Sequence, residues 1–96
     1  MLRRHYLITY DVSDDKRRNR IFKLLHGYGN HTQYSVFLCE LDAAELATLR
    51  NELQPIVHNN QDQLLIVDLG PAEHDLDLSV DSIGRAFQPA TRAFIV

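Results

Sequence analysis

The chain is predicted to fold as an α+β sandwich, one antiparallel sheet with two helices on a single face. Three observations carry that expectation. Apolar patterning alternates between strand and helix in the order β-α-β-β-α-β across residues 6–69. Both helical segments follow a strand and open on capping residues. Between them, residues 30–41 are β-rich for too long to form one ordinary strand, so they read as a tight hairpin or a strongly bulged strand breaking near Tyr34-Ser35. Together these give the ferredoxin-like arrangement.

The elements follow in order. Tyr6-Leu7-Ile8-Thr9-Tyr10 is built of aromatic and β-branched types that suit a pleated surface, and it stops on the carboxylate of Asp11. Ser13, followed by Asp14 and Asp15, reads as a helix N-cap with acidic first-turn residues facing the helix dipole. The helix spans about 14–28, with Ile21, Leu24, Leu25 and Tyr28 at i, i+3, i+4 and i+7 forming its buried stripe, and Gly27 and Gly29 ending it. Asp42 caps the second helix, with Glu45 in a capping-box relation. Leu46, Leu49 and Leu53 form its apolar stripe, and Pro55 ends or kinks it. Residues 62–69 are the next strand, stopped by Gly70-Pro71. An acidic, mobile linker is expected over 72–79, then short extended pieces over 80–85 and 91–96. The division is thus a core of residues 1–70 and a tail of 71–96 within one domain. The terminal piece is apolar to Val96, and such an end is expected to find an open sheet edge on a second copy. That copy would also cover the sheet face left bare by the helices.

Composition is that of an ordinary globular protein. No apolar run approaches the roughly 20 residues needed to cross a bilayer, so no membrane role is expected. The start of the chain passes directly into a strand pattern, so no signal peptide is expected. A single cysteine, Cys39, excludes an internal disulfide and suits a reducing cytoplasm. The net charge is −3, but it is polarised: residues 1–35 carry seven Lys/Arg against three Asp, and residues 36–96 carry three against ten acids. A basic face can therefore meet a polyanion while the acidic remainder keeps the molecule soluble. Solvated charged helices would give the same count.

The chemistry concentrates between Tyr10 and Lys23. One carboxylate at a strand end, Asp11, stands beside Lys16, Arg17, Arg18, Arg20 and Lys23, an arrangement suited to a metal ion and a phosphate backbone. Arg17 extends the apolar stripe toward the sheet edge where Asp11 ends. It is expected to pair with Asp11 or a ligand phosphate, or else to cover core with its stem. Asp14 and Asp15 read as helix-start residues. The five histidines show no paired ligand spacing, which argues against zinc. Cys39 lies among apolar residues without a local base and reads as packing.

The string Tyr10-Asp11-Val12-Ser13-Asp14-Asp15-Lys16-Arg17-Arg18, with Gln33-Tyr34-Ser35-Val36-Phe37 and Glu40-Leu41 following, resembles the second CRISPR-associated protein family, the small nuclease-like partner of the CRISPR spacer integrase. The match covers residues 6–70. The resemblance implies a homodimer of ferredoxin-like subunits whose terminal strand adds to the partner's sheet. It also implies that Asp11 from each subunit holds one shared divalent ion. Mg²⁺ suits such a site, because it needs only one or two carboxylates and keeps its waters. Tyr10, Arg17, Arg20 and Phe37 match positions implicated in the family. The roles implied are phosphate anchoring for Arg17, Arg18 and Arg20, with Lys16 on the same nucleic-acid surface, and substrate or core contact for Phe37.

Two functions are compatible with these residues. One is a Mg²⁺-dependent phosphodiesterase acting on RNA or DNA, with an activated water attacking phosphorus. The other is an architectural dimer that bridges integrase subunits and holds duplex DNA without cutting it. A single carboxylate per subunit is sparse for an efficient nuclease, so the reading adopted is a spacer-acquisition subunit with a capacity for cleavage. A toxin ribonuclease of the virulence-associated protein D type is a third reading. An RNA-recognition sheet is disfavoured because its glycine-aromatic segment is missing.

Overall fold

The computed structural model of the chain describes residues 2–87. Its elements are β1 (Arg4–Asp11), α1 (Asp15–His26), β2 (Gly29–Gln33), β3 (Val36–Leu41), α2 (Ala43–Leu53) and β4 (Gln63–Pro71), followed by one 3-10 turn, Leu76–Leu78. The strands form one sheet in the order β2-β3-β1-β4, with every neighbouring pair antiparallel. Each helix is a crossover between two strands separated by a third, which gives the ferredoxin-like sandwich expected.

Period-two alternation in β1 sends Tyr6, Ile8 and Tyr10 to the helix face. There they join Ile21 and Leu25 of α1, Phe37, Cys39 and Leu41 of β3, and Leu49 and Leu53 of α2 in one core. Burying each large apolar side chain contributes roughly 1.5–3 kcal/mol. Leu64 and Ile66 extend the core along β4, opposite Tyr10 and Ile8 in register. Phe22 packs against this core from α1, although it lies outside the stripe read from the sequence. The hairpin turns at Tyr34-Ser35, and Ser35 takes a left-handed φ of 62°. At Gly29 an added Cβ would lie 2.4 Å from Cys39 Sγ and 2.5 Å from the Leu38 carbonyl oxygen; close strand approach, not helix termination, requires this glycine.

Four local expectations are corrected. β4 runs on through Gly70 and Pro71, which pair with His5 and Arg4 across a register shift instead of stopping the strand. The cap of α1 is Asp14 instead of Ser13: its Oδ2 accepts from the Arg17 amide at 2.9 Å, and a carboxylate satisfies an orphan helix donor while countering the dipole. The helix ends at His26, two residues early, where the Gly27 amide donates to the Leu24 carbonyl at 3.0 Å. Residues 80–85 have extended composition but form no strand, because no neighbour offers them a ladder. By contrast, the capping box of Asp42 and Glu45 is present in full. The acidic linker holds the 3-10 turn and is tied to the residue before β1, with the Ala72 amide donating to the Arg3 carbonyl at 2.8 Å. The sheet face away from the helices stays partly bare: Leu65 and Val67 are 47% and 42% exposed. The terminal piece over 91–96, expected to pair with a partner, lies outside the described residues.

Candidate metal and nucleic-acid site

Asp11 is the last residue of β1, opposite Gln63 of β4. Alternation turns it away from the core, so its carboxylate is exposed, and it makes no ion pair or side-chain hydrogen bond among the described residues. The other acids of this corner are engaged. Asp14 caps α1, Asp15 pairs with Arg18, and Asp62 pairs with Arg17.

Arg17 does reach back to the sheet edge, but its partner is Asp62 and not Asp11. Nε donates to Asp62 Oδ2 at 2.7 Å and Nη2 to Oδ1 at 3.1 Å, the two-pronged geometry that a planar guanidinium allows. The Asp62 side chain is fully shielded from solvent. The His58 amide donates to its Oδ2 at 2.9 Å. The Arg17 hydrogen bond, aided by the His58 amide and opposed by burial, holds the Asp62 carboxyl below its ordinary range. His58 Nδ1 in turn accepts from the amides of Asn60 and Gln61, both at 3.2 Å, closing the α2–β4 turn.

Arg18 braces the turn that follows Asp11. Its Nη1 donates to the carbonyls of Val12 and Ser13 at 3.0 and 3.3 Å, and its Nη2 to Asp15. Of the four cations expected to hold phosphate, Arg17 and Arg18 are therefore committed to the protein. Lys16 and Arg20 are exposed and make no ion pair among the described residues, as does Lys23 one turn further along.

Tyr10 is 6% exposed, with its amide donating to the Ser35 carbonyl at 3.1 Å. Burial raises its phenol above the ordinary value, with a hydrogen bond to Ser35 acting the other way. Phe37 is fully buried and stacks with Tyr10 at 6.4 Å between ring centres. Of the two roles expected for it, its burial fits core contact. Cys39 is buried, which pushes its thiol up to about 11 and leaves it unsuited to nucleophilic work. No group of three or more His, Cys, Asp or Glu side chains placed to hold a metal occurs among the described residues. Among the described residues, this end of the molecule thus offers one free carboxylate at the end of β1 and exposed, unpaired cations along α1.

The family model for CRISPR associated protein Cas2 matches residues 4–75, which contain all four strands and both helices. The chain belongs to the Cas2 family. It is 40% identical to CRISPR-associated endoribonuclease Cas2 1 of Rhodospirillum rubrum, an alignment covering 95% of this chain and 88% of that protein. It is 38% identical to CRISPR-associated endoribonuclease Cas2 of Geobacter sulfurreducens over 95% of both. Among solved structures, Streptococcus pyogenes Cas2 superimposes with a TM-score of 0.73 at 29% identity, covering 83% of this chain and 99% of that one. A hypothetical protein from Thermus thermophilus superimposes at 0.77 and 33% identity, covering 92% and 99%. The chain is thus a CRISPR-associated protein of a nuclease-named family with the Cas2 fold.

Sequence reading missed several partners within this Cas2 fold. Asp62 was one, since it reads as an ordinary strand start. Another was the network at the opposite end of β1, where Arg3 donates to Glu40 Oε2 at 2.8 Å and to Glu45 Oε1 at 2.7 Å. The exposed ring of Tyr34 was a third, and its only local signal is an aromatic residue at a hairpin tip. No helix among the described residues is long and apolar enough to cross a membrane.

Proposed function

We propose that this Cas2 protein is a homodimeric subunit of CRISPR adaptation, working in the cytoplasm with the CRISPR integrase, and that it hydrolyses phosphodiester bonds of RNA at Asp11 in the presence of Mg²⁺. The carrying observation is the isolation of Asp11. It is the one carboxylate of its corner that is exposed and without a partner among the described residues, while Asp14, Asp15 and Asp62 are occupied.

The donor set fits a hard ion that accepts one or two carboxylates and otherwise keeps water and phosphate oxygens. Asp11 supplies the first carboxylate, and the same residue of a second subunit supplies the other. The bare face carrying Leu65 and Val67 supports pairing of two sheets. Bound there, Mg²⁺ supplies charge stabilisation at the phosphoryl oxygens and a more acidic water. The protein does the rest by placement: Lys16 and Arg20 take the flanking phosphates. Arg18 fixes the turn beside Asp11, and Arg17 fixes the start of β4 opposite it.

The test is cleavage of end-labelled RNA and duplex DNA by wild type and Asp11→Ala, with Mg²⁺ and with chelator, at matched dimer content. Cutting that both chelator and Asp11→Ala abolish supports the assignment, and equal cutting by the variant overturns it. One observation favours a second reading, a dimer that holds duplex DNA without cutting: each subunit brings one carboxylate, where two-metal nucleases bring several. Duplex binding without any cleavage by wild type would decide for it.

A further inference from the structure

Beside the Asp11 corner, a cleft of about 400 Å³ opens between the first turns of α1 and the β2–β3 hairpin. That volume falls in the ~300–1,000 Å³ range of small-ligand clefts. Its lining includes Tyr10, Asn19, Phe22, His31 and Tyr34, together with the Arg18–Asp15 ion pair, in which the carboxylate's charge is met by the guanidinium. Phe22 and His31 meet edge to face, with ring centres 5.1 Å apart at 86°. Tyr34 stands at the rim with 79% of its surface exposed. The left-handed Ser35 next to it is bonded to β1 through the Tyr10 amide, so the backbone that carries this ring is anchored to the sheet. Asn19 brings an exposed amide that makes no side-chain hydrogen bond among the described residues, and Arg18 holds its guanidinium still through its bonds to Val12 and Ser13.

The surroundings select the ligand. Lys16, Asn19 and Lys23 are spaced i, i+3, i+7 along α1 and so share one helix face. Free cations thus stand on both sides of the cleft's polar wall. An aromatic ring at the rim, a polar edge inside and cations at both flanks match a nucleobase on a charged backbone. A base within a duplex is stacked and paired and does not enter such a cleft, whereas an unstacked base of a single strand does.

We propose that this cleft receives one base of single-stranded RNA, stacked on Tyr34 and met at its edge by Asn19, with the adjoining phosphates on Lys16 and Lys23. The proposal rests on the reading of α1 as an RNA surface and adds to it a site for one base.

The test is fluorescence anisotropy with chelator present, using labelled oligoadenylate, an abasic oligomer of the same sugar-phosphate length, and duplex RNA. Wild type is compared with Tyr34→Ala, Tyr34→Phe and Asn19→Ala, each checked for unchanged circular dichroism and Tm. Stacking of one base predicts that Tyr34→Ala weakens oligoadenylate binding about ten-fold or more. Tyr34→Phe keeps the affinity, Asn19→Ala loses a smaller factor, and abasic and duplex binding do not change. Oligoadenylate affinity untouched by Tyr34→Ala, or an equal loss on the abasic oligomer, overturns the base site and leaves the phosphate surface and the Asp11 assignment standing. Wild type that binds none of the three overturns the α1 surface and the base site together.

Discussion

Arg17 and Asp62, 45 residues apart, meet in a two-pronged ion pair that joins the first turn of α1 to the start of β4. Asp11 is opposite Gln63, the residue after Asp62. The pair therefore sets the position of the strand edge that flanks the free carboxylate. Asp62 contributes no exposed charge to the site, and its side chain is shielded from solvent.

Removing one member of this pair strands the other. Arg17→Ala leaves a shielded carboxylate without its cation, so it is expected to lower Tm by several degrees. Arg17→Met combined with Asp62→Leu, which leaves no charge behind, is expected to recover much of that loss. Thermal unfolding of the three proteins checks this, and a double variant as unstable as the single one refutes it.

The same pair gives a pH signature. The folded Asp62 carboxyl is held low, chiefly by Arg17, whereas an unfolded Asp titrates near about 3.9. The unfolded state thus binds the proton more readily, and the stabilisation is present above that value and lost as pH falls through the folded one. Urea unfolding followed from neutral pH downward should show a shallower acid loss in Asp62→Asn than in wild type. Some acid loss remains in that variant, because Asp68 is also held low by the Gly70 amide and by Arg4.

The free and committed cations of α1 should behave differently toward RNA. Lys16→Ala and Arg20→Ala remove exposed charges with no structural partner among the described residues. Each is expected to weaken binding for all sequences and to reduce the slope of log K against log salt by about one. Arg17→Ala, by contrast, acts through stability. At a temperature where it is fully folded, its salt slope should lie close to wild type. Binding isotherms at several salt concentrations separate the two classes.

Local chemistry was legible in the sequence wherever the interaction is local. The Asp42–Glu45 box, the turn at Tyr34-Ser35 and the stripe of Ile21 and Leu25 each lie within a few residues and follow from capping, turn and period rules. The choice between Ser13 and Asp14 as cap was not decided by type, since both are good caps; in the structure it is Asp14 that accepts from the Arg17 amide. Arg17 was correctly sent toward the sheet edge by helical spacing, but its partner was not legible. Asp62 is 45 residues away, and only the β1–β4 pairing brings it there. Residues 80–85 have strand composition, yet a strand needs a neighbour, which composition does not record.

Phe37 separates core from substrate roles. It is fully buried between Tyr10, Phe22 and the histidines of α1 and β2. Phe37→Ala should cost about 3–5 kcal/mol by denaturant unfolding. Phe37→Leu, which keeps most of the volume, should retain RNA affinity while losing a smaller part of the stability. Affinity lost in Phe37→Leu with stability intact would return this residue to the substrate.

Gly29 and Cys39 provide the sharpest test of the sheet's packing. They are directly opposite in the β2–β3 register, and an alanine Cβ at residue 29 would fall 2.4 Å from Cys39 Sγ, 2.5 Å from the Leu38 carbonyl oxygen and 3.0 Å from Cys39 Cα. The first obstacle is a side chain and the other two are backbone. Gly29→Ala is therefore expected to destabilise by about 1–3 kcal/mol through overpacking. Removing the sulfur in a Gly29→Ala, Cys39→Ala double variant relieves only the first clash. Denaturant unfolding of the two single variants and the double should show a coupling that recovers part of the Gly29→Ala loss and not all of it. Full recovery would mean that β2 moves freely against β3. No coupling would mean that the backbone contact alone fixes their spacing.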